Sequence, residues 1–301
     1  MRKSSFTYKF SRTQLMISNN LYQSGKLTLS FELFPPKTEK GEANLYRHVE
    51  KLMEFGPDFI TCTYGAGGST QTKTLDIIRT VKERFDIPVA SHLTLVGSSA
   101  DQLREYLLKA KEQGVDHIVA LRGDPPEGQD EFTPTEGGFR YANELVELVN
   151  NEFNSFGVFV AGYPEKHREA PTAEADLDNL KRKVDAGADA VITQLFYSNE
   201  DFFRFRDQCD ARGIHVPIVP GLLPVTDLNQ IKRITSLCGA KLPQDFVEAL
   251  GAADDQFQVG IDQAVAQIEE LKSGGISGLH LYVLNRSQAT IEIMKRLDGT
   301  A

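Results

Sequence analysis

From Lys26 onward, short apolar runs rich in β-branched residues alternate with amphipathic segments at helical spacing. The strand-like runs are LTLSFEL, DFITCTY, IPVASHL, HIVALRG, GVFVAGY, AVITQLF, VPIVPGL and LHLYVLN. A helical pattern separates each from the next, and one follows the last. Eight such units over about 270 residues predict an α/β protein, a (β/α)8 TIM barrel, because an open doubly wound sheet seldom needs so many equal units.

The turns carry a second cue. Gly56-Pro57-Asp58, Gly114-Val115-Asp116 and Gly187-Ala188-Asp189 each place a glycine where a helix ends and the next strand starts. Tight turns on one face imply long connections on the other, and the strand-to-helix loops are indeed longer: YGAGGST, RGDPPEGQDEFTPTEGGF and YPEKHREAPTAEAD. In a barrel those loops gather at the C-terminal face, where active sites are built. Residues 1–26 are polar and read as an N-terminal arm or short helix, with 27–301 as a single catalytic barrel. Residues 237–278 exceed what one unit requires, so an extra helical segment is expected before the last strand, with Gln263 to Lys272 in its last turns.

Composition narrows the function. A hydrophobic fraction of 41% with 25% charged residues excludes a disordered chain. The net charge of −9 argues against a broad nucleic-acid or membrane surface but leaves room for a local basic pocket. There is no apolar run of roughly 20 residues and no signal-peptide core, so a cytoplasmic protein is expected. Cys62, Cys209 and Cys238 are odd in number and widely spaced, which fits a reducing compartment and no zinc finger. Without tryptophan, any planar ligand must stack on tyrosine, phenylalanine, histidine or aliphatic groups. The partners expected are small-molecule substrates and other copies of the chain in a homo-oligomer.

Six consecutive strands end in a polar group: Glu32, Thr63, His92, Arg122 with Asp124, Tyr163 with His167, and Gln194. For any one of them a cap or an ion pair is the plainer reading, and the set is better evidence than its members. His117 and His280 fall at strand starts, and His48 and His215 in helix or turn patterns, so all four read as structural. Glu32 lies among apolar neighbours in SFELFPP. If it points into the barrel mouth, desolvation should raise its pKa and give it the profile of a general acid, against the alternative of a buried glutamate paired with lysine or arginine. Asp176, Asn179, Arg182 and Lys183 share one helical face that suits the hydroxyls and pyrophosphate of a nucleotide, although spacing alone favours a solvated, salt-bridged helix.

Other chemistries find less support. No candidate strand offers a Schiff-base lysine at the mouth, no HxH pair starts a metal site, and no GxGxxG joins a strand to a helix. A metal-dependent hydrolase or lyase, the alternative enzyme, would have to use the scattered Glu32, His92, Asp124 and His167.

Taken in order, SFELFPPKT, TYGAGGST, HIVALRGDPP, AGYPEKH, DLDNLKRKVDAGAD with ITQLFY, PGLLPV and LYVLNR closely resemble the methylenetetrahydrofolate reductase family in its short, bacterial form. The resemblance runs from about residue 27 to 297. It implies a barrel flavoprotein in which NADH or NADPH reduces FAD, and FAD passes hydride to 5,10-methylenetetrahydrofolate to give 5-methyltetrahydrofolate, with one shared site and ping-pong kinetics. Glu32 takes the family's acid role, and Asp124 matches the aspartate beside the flavin pyrimidine edge. Thr63, Tyr64, Ala66, His92, Leu121, Arg122, Gly123, Tyr141, Ala142, Tyr163 and His167 fall on FAD-contacting positions. So do Asp176, Asn179, Arg182 and Lys183, against the preference for a plain solvated helix. Gln194 matches a position used by folate and nicotinamide, and Arg286 the arginine that meets the folate glutamate tail. Leu228 stands where relatives often carry a phenylalanine that stacks on substrate.

Overall fold

The computed structural model describes residues 21–22, 25–36, 38–63, 71–125, 128 and 131–299. Nine parallel strands follow in sequence: β1 Thr28–Leu33, β2 Phe59–Cys62, β3 Val89–Thr94, β4 His117–Leu121, β5 Gly157–Gly162, β6 Ala190–Thr193, β7 Ile218–Val219, β8 Gly221–Leu222 and β9 Gly278–Tyr282. They hydrogen-bond in the order β7-β6-β5-β4-β3-β2-β1-β9-β8. The predicted seventh strand is thus two short pieces, split at Pro220. Proline has no N–H to give to a ladder. Its carbonyl still accepts the His280 N–H at 3.0 Å, so β8 pairs with β9 while β7 pairs with β6. One broken stave therefore joins the two ends of the order, and the sheet curls into a barrel of eight staves.

The helices are α1 Glu39–Met53, α2 Gln71–Phe85, α3 Ala100–Glu112, α4 Ala142–Glu152, α5 Ala173–Asp185, α6 Asn199–Ala211, α7 Leu228–Cys238, α8 Gln244–Ala252, α9 Gln256–Ser273 and α10 Ser287–Leu297. The extra segment expected before the last strand is α8 and α9. None of these helices is long and apolar enough to cross a membrane. Of the N-terminal arm only Leu21, Tyr22, Gly25 and Lys26 are among the described residues.

The three glycine turns do more than reverse the chain. Gly56, Gly114 and Gly187 have φ of 59°, 74° and 106°, where a side chain is strained. Each following aspartate then reaches back to the preceding strand. Asp58, Asp116 and Asp189 accept the N–H of Leu29, Val89 and Val158 at 2.8, 2.9 and 2.7 Å, and each donates its own N–H to the carbonyl of that same residue. This repeated two-point clip fixes the N-terminal rim and frees the opposite rim to vary.

Alternation along the strands separates two cores. Outward residues such as Phe31, Ile60 and Leu93 pack under the helices. Inward, the barrel floor is built from Phe59, Ala90, Phe159, Ala190 and Val219, with Tyr22 packed against it. His117 stacks on Phe159 there, with ring centroids 4.8 Å apart. Above this apolar floor the inward residues turn polar: Ser30, Glu32, His92, His280 and Tyr282.

Candidate active site

β1 carries Glu32 up to the C-terminal mouth. Its side chain is 14% exposed, and one carboxylate oxygen, Oε2, meets His92 Nε2 at 3.2 Å and His280 Nε2 at 3.3 Å. The strand registers explain the meeting. Ser30 lies beside His280 and Glu32 beside Tyr282 across the β1–β9 pair, so the imidazole of His280 reaches up from the layer below. Two expectations are corrected here. Glu32 is paired with histidines rather than lysine or arginine, and its pKa is lowered, not raised. Burial pushes the carboxyl up and is the largest single influence, but the charges and hydrogen bonds of His92 and His280 together outweigh it and set the value at about 2. The charge part of that effect exists only while an imidazole bears a proton.

His280, structural by its place near the start of the expected strand, belongs to this cluster instead. β9 is only five residues long, so His280 lies at its centre with its ring inside the barrel. Counting from the apolar run LHLYVLN put it one layer too low; the local signal was its alternation with Tyr282 on one face of the strand.

On the same rim lies a cleft of about 880 Å³ between the ends of β4 and β5 and the face of α5. Asp176, Asn179, Arg182 and Lys183 all line it, as do Leu121, Arg122, Tyr141, Ala142, Tyr163 and His167. The α5 face is therefore turned to a cavity instead of being a plain solvated surface. Asp176 accepts the backbone N–H of His167 at 2.8 Å, tying the β5 loop to the helix. Lys183 donates to the Ala161 carbonyl at 2.5 Å, and burial lowers its pKa to about 8. The His167 ring meets Tyr163 edge-on at 4.7 Å, and burial lowers the imidazole's pKa. Arg122 makes a two-pronged ion pair with Glu169, both contacts at 2.6 Å, and lies 5.0 Å over the Phe132 ring. Neither Glu169 nor Phe132 is marked by the sequence pattern, since both come from long loops without a periodic signal. Gly123 permits this geometry: its φ is +86°, and a Cβ there would lie 2.7 Å from Val96 Cγ2.

Asp124 follows Gly123 and is exposed, close enough to raise the pKa of both Arg122 and Tyr163 by its charge. Thr63 sits at the end of β2, its N–H bonded to the Leu33 carbonyl at 3.1 Å. Gln194 follows β6, where its side chain accepts the Leu195 N–H at 2.9 Å, and it lines a small cavity with Tyr163, Glu165 and Cys238. Tyr64 and Ala66 lie outside the described residues.

Across the mouth, Arg286 lines a narrower cavity of about 40 Å³ with Asp227, Gln230 and Tyr282. A local strain holds this side in place. Leu284 and Asn285 have φ of 48° and 57°, and the Asn285 side chain accepts the Phe34 N–H at 2.9 Å and donates to the Phe34 carbonyl, joining the loops after β9 and β1. Leu228 begins α7 and packs with Leu195, Tyr197, Leu223 and Phe246 in a separate apolar cluster. Among the described residues, no group of three or more His, Cys, Asp or Glu side chains is arranged to hold a metal ion, so Glu32, His92, Asp124 and His167 are not brought together as the metal alternative requires.

Comparison with known proteins agrees with the earlier resemblance. The profile of the methylenetetrahydrofolate reductase family matches residues 17–298. The chain is 39% identical over 279 residues to 5,10-methylenetetrahydrofolate reductase of Pectobacterium carotovorum subsp. carotovorum, covering 91% of each chain. It is 38% identical over 277 residues to the enzyme of that name from Escherichia coli, again covering 91% of each. Against methylenetetrahydrofolate reductase (NADH) 1 of Zea mays it is 39% identical over 287 residues, 91% of this chain but 48% of that one, so the chain spans about half the length of its plant relatives. Among solved structures, a Clostridium thermocellum protein described as binding two copies of 5-methyl-5,6,7,8-tetrahydrofolic acid superposes with a TM-score of 0.66 at 16% identity, over 97% of this chain and 100% of that one; it shows the shared fold. On the family profile and the length of the bacterial matches, the chain belongs to the methylenetetrahydrofolate reductase family.

Proposed function

We propose that this protein reduces 5,10-methylenetetrahydrofolate to 5-methyltetrahydrofolate, with NADH or NADPH as the electron source and FAD as the resident cofactor. The observation that carries the proposal is the Glu32 carboxyl, 14% exposed at the barrel mouth with two histidines against it, together with a ligand-sized cleft on the same rim. The cleft suits FAD by its donor set. Arg122, Arg182 and Lys183 supply cationic donors for a pyrophosphate, Asp176 and Asn179 supply acceptors for hydroxyls, and the left-handed backbone at Gly123 lets a flat ring approach the chain closely. FAD, when bound, supplies the carrier that accepts hydride from the nicotinamide and gives it to the folate.

The chain's own residues do the rest. Glu32 holds the proton destined for the folate amine whose bond to the bridging carbon must open. Once that nitrogen is protonated it leaves as a neutral amine, and the bridging carbon becomes an iminium able to accept hydride. Asp124 would supply a negative charge to bound flavin and to the cationic iminium, which would favour hydride donation over retention. Gln194 orients whichever ring occupies the mouth. Arg286 meets the carboxylates of the glutamate tail, while apolar groups around it exclude water. Thr63, Tyr64, Ala66, His92, Leu121, Tyr141, Ala142, Tyr163 and His167 would complete the set that holds the flavin, and Leu228 would shape the edge of the substrate site. A homo-oligomer and a cytoplasmic location complete the proposal.

The test needs only colour. Purified protein incubated with FAD should be yellow, bleach on adding NADH or NADPH without oxygen, and regain colour when 5,10-methylenetetrahydrofolate follows. A protein that takes up no FAD overturns the reading. Without tryptophan, flavin bound to this chain is read without indole emission.

A further inference from the structure

The chain leaves β9 through a turn that one of its residue types does not favour. The Arg286 N–H reaches back to the Val283 carbonyl at 3.0 Å, closing a four-residue turn with Leu284 and Asn285 at its centre. Both have positive φ, 48° and 57°, the pattern of a type I′ turn. Glycine and asparagine take that conformation readily, whereas leucine resists it because its Cβ crowds the following carbonyl. A leucine held there needs support from outside the turn.

The support comes from the Asn285 side chain. Val283 donates its N–H to the Glu32 carbonyl at 3.3 Å, the last backbone rung between β9 and β1. The Asn285 amide takes the place of the next rung: its oxygen accepts the Phe34 N–H at 2.9 Å, and its nitrogen donates to the Phe34 carbonyl. Pro35 and Pro36 follow and have no N–H with which to extend the ladder. On the other side of the turn, Ser287 opens α10, is 1% exposed, and has its Oγ 2.8 Å from His48 Nδ1 on α1.

Arg286 therefore stands between two fixed points, the Phe34 clip and the Ser287–His48 contact. Its side chain lines the cavity shared with Asp227, Gln230 and Tyr282, and among the described residues its guanidinium has no ion-pair partner. Nothing but the backbone on either side fixes where that charge is held.

We infer that Asn285 is a positioning residue for Arg286: by clipping the turn to Phe34 it holds the guanidinium over the cavity, ready for the carboxylates of a substrate tail. The inference rests on the role proposed for Arg286. A turn free to relax would present the guanidinium only part of the time, and affinity would fall by that fraction. Asn285 lines neither that cavity nor the cleft beside α5, so its effect falls on binding of the tail and not on the chemical step.

A double-mutant cycle tests this. Asn285→Gly removes both side-chain bonds, yet glycine accepts the φ of 57° without strain. Losing the two bonds should raise the KM for 5,10-methylenetetrahydrofolate roughly tenfold, with the limiting rate of the folate step within about twofold of the unaltered protein. Arg286→Ala should raise the same KM roughly tenfold or more, and adding Asn285→Gly to it should change nothing further. A fall in limiting rate with KM unmoved, or two effects that multiply in the double variant, would overturn the positioning role. If Arg286→Ala raises KM and Asn285→Gly does not, the inference fails and the reading of Arg286 stands. If Arg286→Ala itself leaves KM unmoved, that reading fails and takes the inference with it. Calorimetric binding of 5-methyltetrahydrofolate carrying one or three glutamates makes the same comparison without turnover, and the loss on Asn285→Gly should again vanish in the Arg286→Ala background.

Discussion

Two histidines inside the same barrel, His117 at the floor and His280 beneath the mouth, are equally buried and do opposite things. His117 lies among Phe59, Phe159 and Tyr22, and among the described residues neither of its ring nitrogens has a hydrogen-bond partner. Burial drives its pKa down to about 4, so it stays neutral and serves as a flat apolar filler. His280 has a hydroxyl on one nitrogen and a carboxylate on the other. Burial alone therefore does not assign a role to a histidine. The partners decide, and in this barrel they come from strands far away in sequence.

The largest effect expected is on Glu32. Glu32→Gln should lower 5,10-methylenetetrahydrofolate reduction by roughly 10²- to 10⁴-fold while flavin reduction by the nicotinamide continues, because only the folate step needs the acid. Rapid-mixing measurement of the two half-reactions checks this, and an equal fall in both removes the acid from the mechanism. His280→Leu should cost roughly 3–5 kcal/mol of stability by leaving the Glu32 carboxylate buried with one partner fewer, measured by denaturant unfolding. A cost near zero would make the mouth as indifferent as the floor.

Acid should separate the two regions by pH. His117 has a folded pKa of about 4 against its usual 6.5, so the unfolded state takes up the proton first as pH falls. Stability should drop by about 3 kcal/mol between pH 6.5 and 4 on its account. Glu32, lowered from 4.5 to about 2, contributes stability that is present above pH 4.5 and lost on the way down to 2. Unfolding followed across both windows should show the upper step vanish in His117→Leu and the lower step vanish in Glu32→Gln. The smallest effect follows from the same contrast. At neutral pH, His117→Leu should be neutral or stabilising by about 1 kcal/mol, since it removes polar atoms that have no partner. A thermal melt lower by several degrees would show that the floor depends on that ring.

Much of the fold was legible because its signals are local. Apolar runs such as HIVALRG mark strands, helix-ending glycines mark the tight turns, and the rim residues from Glu32 to Gln194 follow from strand ends. The split at Pro220 is equally local, yet VPIVPGL reads as one apolar run until the missing N–H is counted. The α5 face shows the limit of periodicity. Spacing placed Asp176, Asn179, Arg182 and Lys183 on one side of a helix but could not say whether that side faced water or a cleft.

The sequence by itself determined the family, the barrel and the rim where the polar strand ends lie, because those depend on short-range pattern and on strings of residues that recur intact. Only the tertiary structure decided the surroundings of Glu32. Its low pKa and its pairing with His280, 248 residues away, arise from the β1–β9 register that closes the barrel, and Arg122 likewise meets Glu169 only because two loops converge on the mouth. A pKa is set by the charges within a few ångströms in space, and no spacing along the chain reports those.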